Sequence, residues 1–362
     1  MTQDLRLKTL KNSVMKKVAI IILMYNGQKY LPALLGSIFK YEPDSVKQEI
    51  IVVDNDSIDK TVSWLKENYP QVIVLEQSKN LGFAGGNNIG IKYAIDKGFD
   101  YVMLLNQDTI VSEGYLDKLI EVIESDETIA AVQPKLMLYP LTELVNSMGN
   151  VIHYLGFGYT YGHKQVSFKF QISKFKINYC SGAACLMKVE VLKKIGLFNE
   201  NLFIYHEDLD LGWRFRLMGY KNQVVPESIV YHRYEFFRSI QKYYYMERNR
   251  FIVMFQNYRC LTILLILPAL LVMELGLFIF SFKNDWWLEK LKVYLYFLNP
   301  LNWLKIIKKR KVIQRVRVKN DREVVWDFSG KIEHQEVDSQ LVKLINPFFN
   351  LYWQIVKRLI FW

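Results

Sequence analysis

YVMLLNQDT, Tyr101 to Thr109, is the stretch that decides the fold. Five residues as apolar as YVMLL read as a buried strand, and Asn106, Gln107 and Asp108 then follow with no transition. An unpaired carboxylate inside a core is costly, so the chain must surface at Asp108, at the carboxyl end of a strand. In open α/β sheets, ligands bind at that end.

Working outward, the preceding chain repeats the theme. AIIILMYN, EIIVVDN and QVIVLEQ are apolar runs that each end in polar residues. Between them KYLPALLGSIFKY and SIDKTVSWLKENY have helical spacing, the second with Ser57 as expected N-cap. After the loop NLGFAGGNNIG come two further helices, IKYAIDKG and EGYLDKLIEVIE, flanking YVMLL. Continuous apolar strands separated by helices predict a parallel sheet covered on both faces. From about Tyr139 to Lys176 the pattern breaks into Gly- and Tyr-rich sequence, read as irregular with room for a hairpin. NYCSGAACLMKV resumes as a strand, VEVLKKIG and EDLDLGWRFRLMG as helices, and QVVPESIVYH as a last strand or two.

Leu261 to Phe282 belongs to a different medium. These 22 residues contain one charge, Glu274, and are long enough to cross ~30 Å of hydrocarbon. The sequence leaves open whether the segment crosses, re-enters or pairs with the amphipathic stretch WWLEKLKVYLYFLNPLNWLKII. KKRKVIQRVRVK then forms a polybasic run suited to an anionic cytoplasmic leaflet. The chain of 362 residues carries a formal charge of +11. From Leu261 onward it has 16 basic and 9 acidic residues and six of the eight Trp. That composition suits a membrane interface; nucleic acid is not expected, since no binding motif accompanies the charge.

The three cysteines, Cys180, Cys185 and Cys260, imply no disulfide framework. Cys180 and Cys185, five apart in an expected strand, should point to opposite faces. Val18 to Met24 is too short for a signal peptide and reads as the first strand. Met15 is a second plausible start, with residues 1–14 a basic lead-in.

Chemistry gathers at the strand ends. Tyr25-Asn26-Gly27 leaves the first strand, and Asp54 closes the second in VVDNDS with Asp56 or Ser57 free to cap the next helix. NLGFAGGNNIG reads as a Gly-rich loop whose backbone N–H groups hold phosphate, with Asn80, Gly85 and Asn87 as nucleotide-lining candidates. In NQD a strand-end Asp presents a hard oxygen to a divalent cation carrying a diphosphate. HEDLDLGWR puts Glu207, Asp208 and Asp210 at the start of a helix, more acid than capping needs, and one can serve as general base.

The ordered set YNG, VVDNDS, NLGFAGGNN, LLNQDT, CSGAACLMKVEVLKKIGLFNENLFIYHEDLDLGWR and VYH resembles the family 2 glycosyltransferases with the GT-A fold, roughly from Val18 to Tyr258. The downstream YYYMERNRFIVMFQNY with its apolar helix resembles the rhamnosyltransferase-type subgroup of bacterial surface polysaccharide synthesis. The resemblance implies a GT-A domain over 15–258, a doubly wound mixed sheet, followed by a membrane-associated helical region with a basic tail over 259–362. It implies that Asp54, Tyr25 and Asn26 read the nucleotide base. Asn106 and Asp108 form the element that holds diphosphate and Mg²⁺ or Mn²⁺; the first acid of that element is Asn here, and His232 is the expected helper. Asp208 is the implied catalytic base, Glu207 its neighbour that orients it or meets the acceptor, and Arg248 a cation for the diphosphate. The donor implied is a dTDP- or UDP-sugar, dTDP-rhamnose foremost. The acceptor is a lipid-linked glycan and the location the cytoplasmic face of the cell membrane.

The enzymatic alternative is a transferase loading sugar onto polyprenyl phosphate. A sugar nucleotidyltransferase should carry a Gly-rich loop with Arg and Lys after its first strand, where this chain reads YNGQKYL. A non-catalytic membrane scaffold has no use for intact NQD and HEDLD. All of this requires Asp108 and Asp208 to meet at one mouth of the sheet.

Overall fold

The computed structural model describes residues 15–167, 176–234, 240–332 and 340–362; the lead-in expected over 1–14 lies outside them. The chain begins β1 (Lys17–Met24), α1 (Leu31–Lys40), β2 (Lys47–Asp54), α2 (Thr61–Asn68), β3 (Ile73–Glu76), α3 (Gly82–Asp96) and β4 (Tyr101–Asn106). Alternate residues of β1 feed two cores. Val18, Ile20, Ile22 and Met24 face one, with Leu34 and Leu35 of α1, and Ala19 and Ile21 face the other, with Ala84 and Ile91 of α3. A strand buried on both faces needs the unbroken apolar run that the sequence supplies.

The next elements are β5 (Thr109–Val111), α4 (Tyr115–Glu124), β6 (Ile129–Leu138), β7 (Val145–Ser147), β8 (Asn150–Ile152) and β9 (Gly158–Thr160). β8 and β9 form the hairpin within the Gly- and Tyr-rich stretch. Then come β10 (Ala184–Lys188), α5 (Val189–Ile195), α6 (Glu207–Leu217) and β11 (Lys221–His232). Among the described residues the main sheet has nine strands in the order β3-β2-β1-β4-β10-β6-β11-β5, with β7 on β6. The first four in this order are parallel to one another, while β10 runs antiparallel to both β4 and β6. This mixed sheet with helices on both faces is the architecture expected.

Two local expectations change, and the structure adds one strand. NLGFAGGNNIG is not a phosphate loop, because α3 already begins at Gly82. Its glycines let the helix approach the sheet: a Cβ on Gly86 would stand 2.3 Å from Leu23 Cδ1, and one on Gly90 2.6 Å from Ile21 Cγ2. Cys180 and Cys185 do not face apart. The strand starts only at Ala184, after a turn at Ser181-Gly182, so both thiols lie in one core and burial beside Cys180 raises the Cys185 thiol. β6 was hidden from a periodicity reading by Gln133 and Pro134 in its middle. Pro134 lies opposite Val225, where β11 shifts register, and a bulge absorbs the missing N–H.

The chain closes with α7 (Ile240–Asn257), α8 (Cys260–Lys283), α9 (Trp287–Leu298), α10 (Pro300–Val316), α11 (Asp321–Val325) and α12 (Gln340–Leu359). By length and composition α8 is able to cross a membrane. The boundary expected at 258/259 has no counterpart in the packing. One core joins Tyr154, Leu209 and Trp213 to Met254, Ile266, Val293 and Trp353, so the C-terminal helices share their interior with the sheet domain.

Gly90→Val tests the helix–sheet approach. Ile21 is β-branched and held between neighbours, so the clash should destabilise the fold by about 1–3 kcal/mol, read as a lowered midpoint in urea.

Candidate active site

Register sets the first half of the site. Met24 pairs with Asp54 and Leu23 with Asn106, so the carboxyl ends of β2, β1 and β4 finish in a row. Asn26 N–H donates to Ser57 Oγ (2.9 Å), and Ile58 N–H donates to Asn26 Oδ1 (2.9 Å), stitching together the two loops that leave β1 and β2. Ser57 is therefore not the helix cap expected. Asp59 opens α2 instead, its Oδ1 accepting from Thr61 N–H (3.0 Å). Gln107, to which the sequence assigned no role, accepts from Tyr25 N–H (3.0 Å) and clamps the two strand exits. Tyr25 keeps its ring half exposed.

Asp54 is 4% exposed. Its Oδ2 accepts from Ser57 N–H (3.2 Å), while its buried Oδ1 has no partner. A buried acceptor without a donor is unfavourable until something fills it, and the exposed tyrosine ring at the same edge offers a stacking surface. Asn55 fixes the neighbouring loop: its Oδ1 accepts from Leu81 N–H (2.8 Å), and its Nδ2 donates to Asn80 Oδ1 (3.0 Å). Asn80 Oδ1 also takes Gly82 N–H (2.8 Å). Gly85 and Asn87 lie buried within α3, and Asn87 Nδ2 donates back to Phe83 O (3.0 Å). These three candidates serve the fold in this geometry.

Asp108 follows β4 and faces β11. Its Oδ1 lies 3.2 Å from His232 Nε2, and the ring's Nδ1 lies 2.9 Å from Asn146 Oδ1. With Nδ1–H donating to Asn146, the lone pair of Nε2 points at a carboxylate oxygen. Two acceptors facing each other call for a proton or a cation between them. Adjacent ligands of an octahedral ion at ~2.1 Å stand about 3.0 Å apart, close to this spacing. Among the described residues no group of three or more acidic, His or Cys side chains could enclose an ion, so a metal here would draw its remaining ligands from substrate oxygens and water.

The second half arrives through β10. Ala184 pairs with Leu105, and Asn106 N–H donates to Ala183 O (2.9 Å). Next to it, Gly182 N–H donates to Asp208 Oδ2 (3.1 Å), and Leu209 N–H donates to Asp208 Oδ1 (2.7 Å). Fully buried Gln133 steadies the turn by accepting from Ser181 N–H (2.7 Å). Asp208 thus reaches Asn106 through one turn, and Asp108 lies two residues beyond Asn106. Both acids stand at the same mouth of the sheet.

Burial lifts the Asp208 carboxyl above its ordinary range, although the N–H groups of Gly182 and Leu209 oppose the rise. Glu207 is pushed up further by burial and by the neighbouring charges of Asp208 and Asp210, and its Oε2 has no partner. Asp210 is structural. It accepts from Arg214 Nε (2.9 Å) and Asn257 Nδ2 (3.0 Å), and Arg214 also binds three carbonyls at the end of α5.

The loop that presents Glu207 and Asp208 is strained. Phe203, Tyr205 and His206 take φ of 64°, 66° and 67°, each costing about 1–3 kcal/mol. α7 holds it: Asn249 Nδ2 reaches the carbonyls of Leu202 (2.8 Å), Ile204 (2.9 Å) and Tyr205 (2.7 Å). Arg248 does not present a free guanidinium to a diphosphate. Its Nη2 donates to Asn201 O (2.9 Å) and Leu202 O (3.1 Å), and it lies over the rings of Tyr244, Tyr245 and Tyr296. Within the run ERNR it is Asn249, more than Arg248, that holds the loop.

A mixed sheet with acids from both halves at one end defines a GT-A nucleotide-sugar transferase fold, and residues 19–196 match the family model described as "Glycosyl transferase family 2". Residues 19–196 form a domain of that family. It is 23% identical over 210 residues to the low-salt glycan biosynthesis hexosyltransferase Agl10 of Haloferax volcanii, covering 57% of this chain and 64% of that one. It is 25% identical over 233 residues to an N-acetylglucosaminyl-diphospho-decaprenol L-rhamnosyltransferase of Mycobacterium tuberculosis, covering 59% and 75%. With poly-beta-1,6-N-acetyl-D-glucosamine synthase of Staphylococcus aureus it shares 27% over 214 residues, 58% of this chain and 48% of the relative. Among solved structures, GalNAc-T7 with UDP, GalNAc and Mn²⁺ superposes with a TM-score of 0.54 at 18% identity, covering 67% and 48%. At that identity the likeness shows the fold alone.

Glu207→Gln tests the buried acids. A carboxyl whose folded pKa is raised binds its proton more tightly folded than unfolded, so its contribution is favourable at low pH and is lost as pH rises from the ordinary carboxylate range through the folded value. The variant should be more stable than the parent at neutral pH, by on the order of 1 kcal/mol. The gap should close below pH ~4, followed by denaturant midpoints across pH.

Proposed function

We propose that the chain is an inverting glycosyltransferase that moves a sugar from a nucleotide-diphosphate sugar to a lipid-linked glycan or growing polysaccharide. It would work at the cytoplasmic face of the cell membrane in surface polysaccharide synthesis. One observation supports the reading: β1, β2 and β4 finish in a row, and the turn bonded to Asp208 joins them at Asn106, so Asp54, Asp108 and Asp208 belong to segments that end at one side of the sheet.

Asp54 Oδ1 suits the imide N–H of uracil or thymine, with the Tyr25 ring against the base. That favours a UDP- or dTDP-sugar. Asp108 and His232 would hold Mg²⁺ or Mn²⁺, which supplies positive charge to the diphosphate as it departs. The crystallisation of GalNAc-T7 with UDP and Mn²⁺ supports this use of the fold. Rhamnose as the transferred sugar draws its support from the mycobacterial relative.

Asp208 removes the proton from an acceptor hydroxyl as that oxygen attacks the anomeric carbon. The new C–O bond forms while the bond to the diphosphate oxygen breaks, and the nucleoside diphosphate leaves with the electron pair. Attack from the opposite side inverts the configuration in a single displacement. The raised Asp208 carboxyl makes a stronger base than an exposed one, provided it is ionised at working pH. Glu207, beside it, is placed to orient the base or meet the acceptor.

Asp208→Asn should lower turnover ~100-fold or more while calorimetric binding of UDP or dTDP persists. Unchanged turnover would assign the proton to another group. Asp108→Ala should instead abolish the dependence of nucleotide binding on Mg²⁺ or Mn²⁺, measured by calorimetry with and without the ion. Product analysis with polyprenyl phosphate against a lipid-linked saccharide separates this reading from a transferase that loads the lipid itself.

A further inference from the structure

The outward faces of α8, α9, α10 and α12 take no part in the chemistry above. α8 is apolar along almost its whole length, yet most of its residues are not buried. Thr262, Ile266, Leu270 and Met273 pack on the body, while Leu264, Leu271, Val272 and Leu275 are each more than 60% exposed. On the flanking helices Leu295 and Leu298 of α9 and Phe348 and Leu351 of α12 are also exposed. Isolated exposed leucines are ordinary, but a patch spread across adjacent helices marks an interaction surface.

Contacts along its length fix how α8 lies. It starts two residues after Tyr258, which is buried against Trp213. At mid-length Glu274 pairs with Arg250 of α7 and accepts from Lys290 Nζ of α9 (2.7 Å). Arg250 and Lys290 share Glu247 of α7 as a further partner (3.0 and 2.5 Å). Just beyond the end of α8, Trp286 stacks on Tyr243 near the start of α7, with centroids 4.7 Å apart. α8 therefore runs back antiparallel along α7, the helix that holds the active-site loop. A crossing helix would carry its far end ~30 Å away through hydrocarbon; this one returns to the body that it left. The sole acid of α8 is neutralised within a buried group of two acids and two bases, so the apolar length of the helix before its terminal Lys283 carries no unpaired charge.

We infer that α8, α9, α10 and α12 form a platform seated in one leaflet of an anionic membrane, with α8 in the membrane plane and not across it. This refinement rests on the membrane-facing part of the reading above. Charge selects the occupant. Lys305, Lys308, Lys311 and Arg315 are exposed on α10 beside Leu301 and Leu304. Among the described residues of the four helices the acids are Glu274 and Glu289, both paired with lysine. An apolar face bordered by unopposed cations fits acyl chains under anionic headgroups.

Cys260 offers a native reporter, since it is exposed at one end of α8 while Cys180 and Cys185 are buried. The full chain, purified in detergent, is diluted into preformed phosphatidylcholine vesicles with or without phosphatidylglycerol. It should float with the anionic vesicles and less so at high salt. Cys260, and the thiol of a C260S/K283C variant at the other end of α8, should both react with a membrane-impermeant maleimide added outside intact vesicles. Leu271→Asp with Leu275→Asp should reduce flotation more than about tenfold without lowering the melting temperature. A thiol protected until detergent opens the vesicles would overturn the in-plane arrangement. Absence of flotation, with the chain self-associated, would make the occupant a second copy and overturn the membrane. UDP binding in detergent reports the catalytic reading separately, so either can fail alone.

Discussion

The site depends on one hydrogen bond between halves of the chain, Asn106 N–H to Ala183 O, at the end of the antiparallel β4–β10 pairing. It ties the strand end that leads to Asp108 to the turn whose Gly182 N–H donates to Asp208. The two acids are 100 residues apart in sequence, and no local preference brings them together. A slip of one residue in this pairing would turn the strand's inward side chains outward and displace the acids from each other.

The second half is held against its own strain. Phe203, Tyr205 and His206 at positive φ and two buried acids all oppose folding, yet they present the Asp208 carboxylate rigidly. Asn249 and Arg248 of α7 offset that cost by satisfying the loop carbonyls. One residue farther on, α7 carries the Arg250–Glu274 pair to α8. The apolar helices and the loop that presents Asp208 therefore lean on the same helix, and one core spans both expected domains. Seating of the proposed platform would then be coupled through α7 to the geometry of the loop.

Much of the architecture was legible in the chain. Apolar runs ending in polar residues marked β1, β2 and β4 and placed Asp54 and Asp108 at strand ends, because a fully buried parallel strand leaves little choice of residue. Less legible were features whose meaning depends on a distant partner. Gln133 and Pro134 look like a break in a strand until Ser181 and the β11 bulge are opposite them. The glycines of α3 look like a phosphate loop until Leu23 and Ile21 are beneath them. Arg248 looks like a free cation until its carbonyl partners are in view.

The sequence by itself determined the alternating α/β order, the strand-end acids, the family resemblance and the presence of a long apolar helix. These follow from burial and periodicity, which act along the chain. Only the tertiary structure decided which polar groups remain unfilled at the mouth of the sheet, as with Asp54 Oδ1 and the facing Asp108 and His232. Only it laid α8 along α7, because a helix apolar on every side carries no record of which face meets protein until Arg250 and Lys290 close on Glu274.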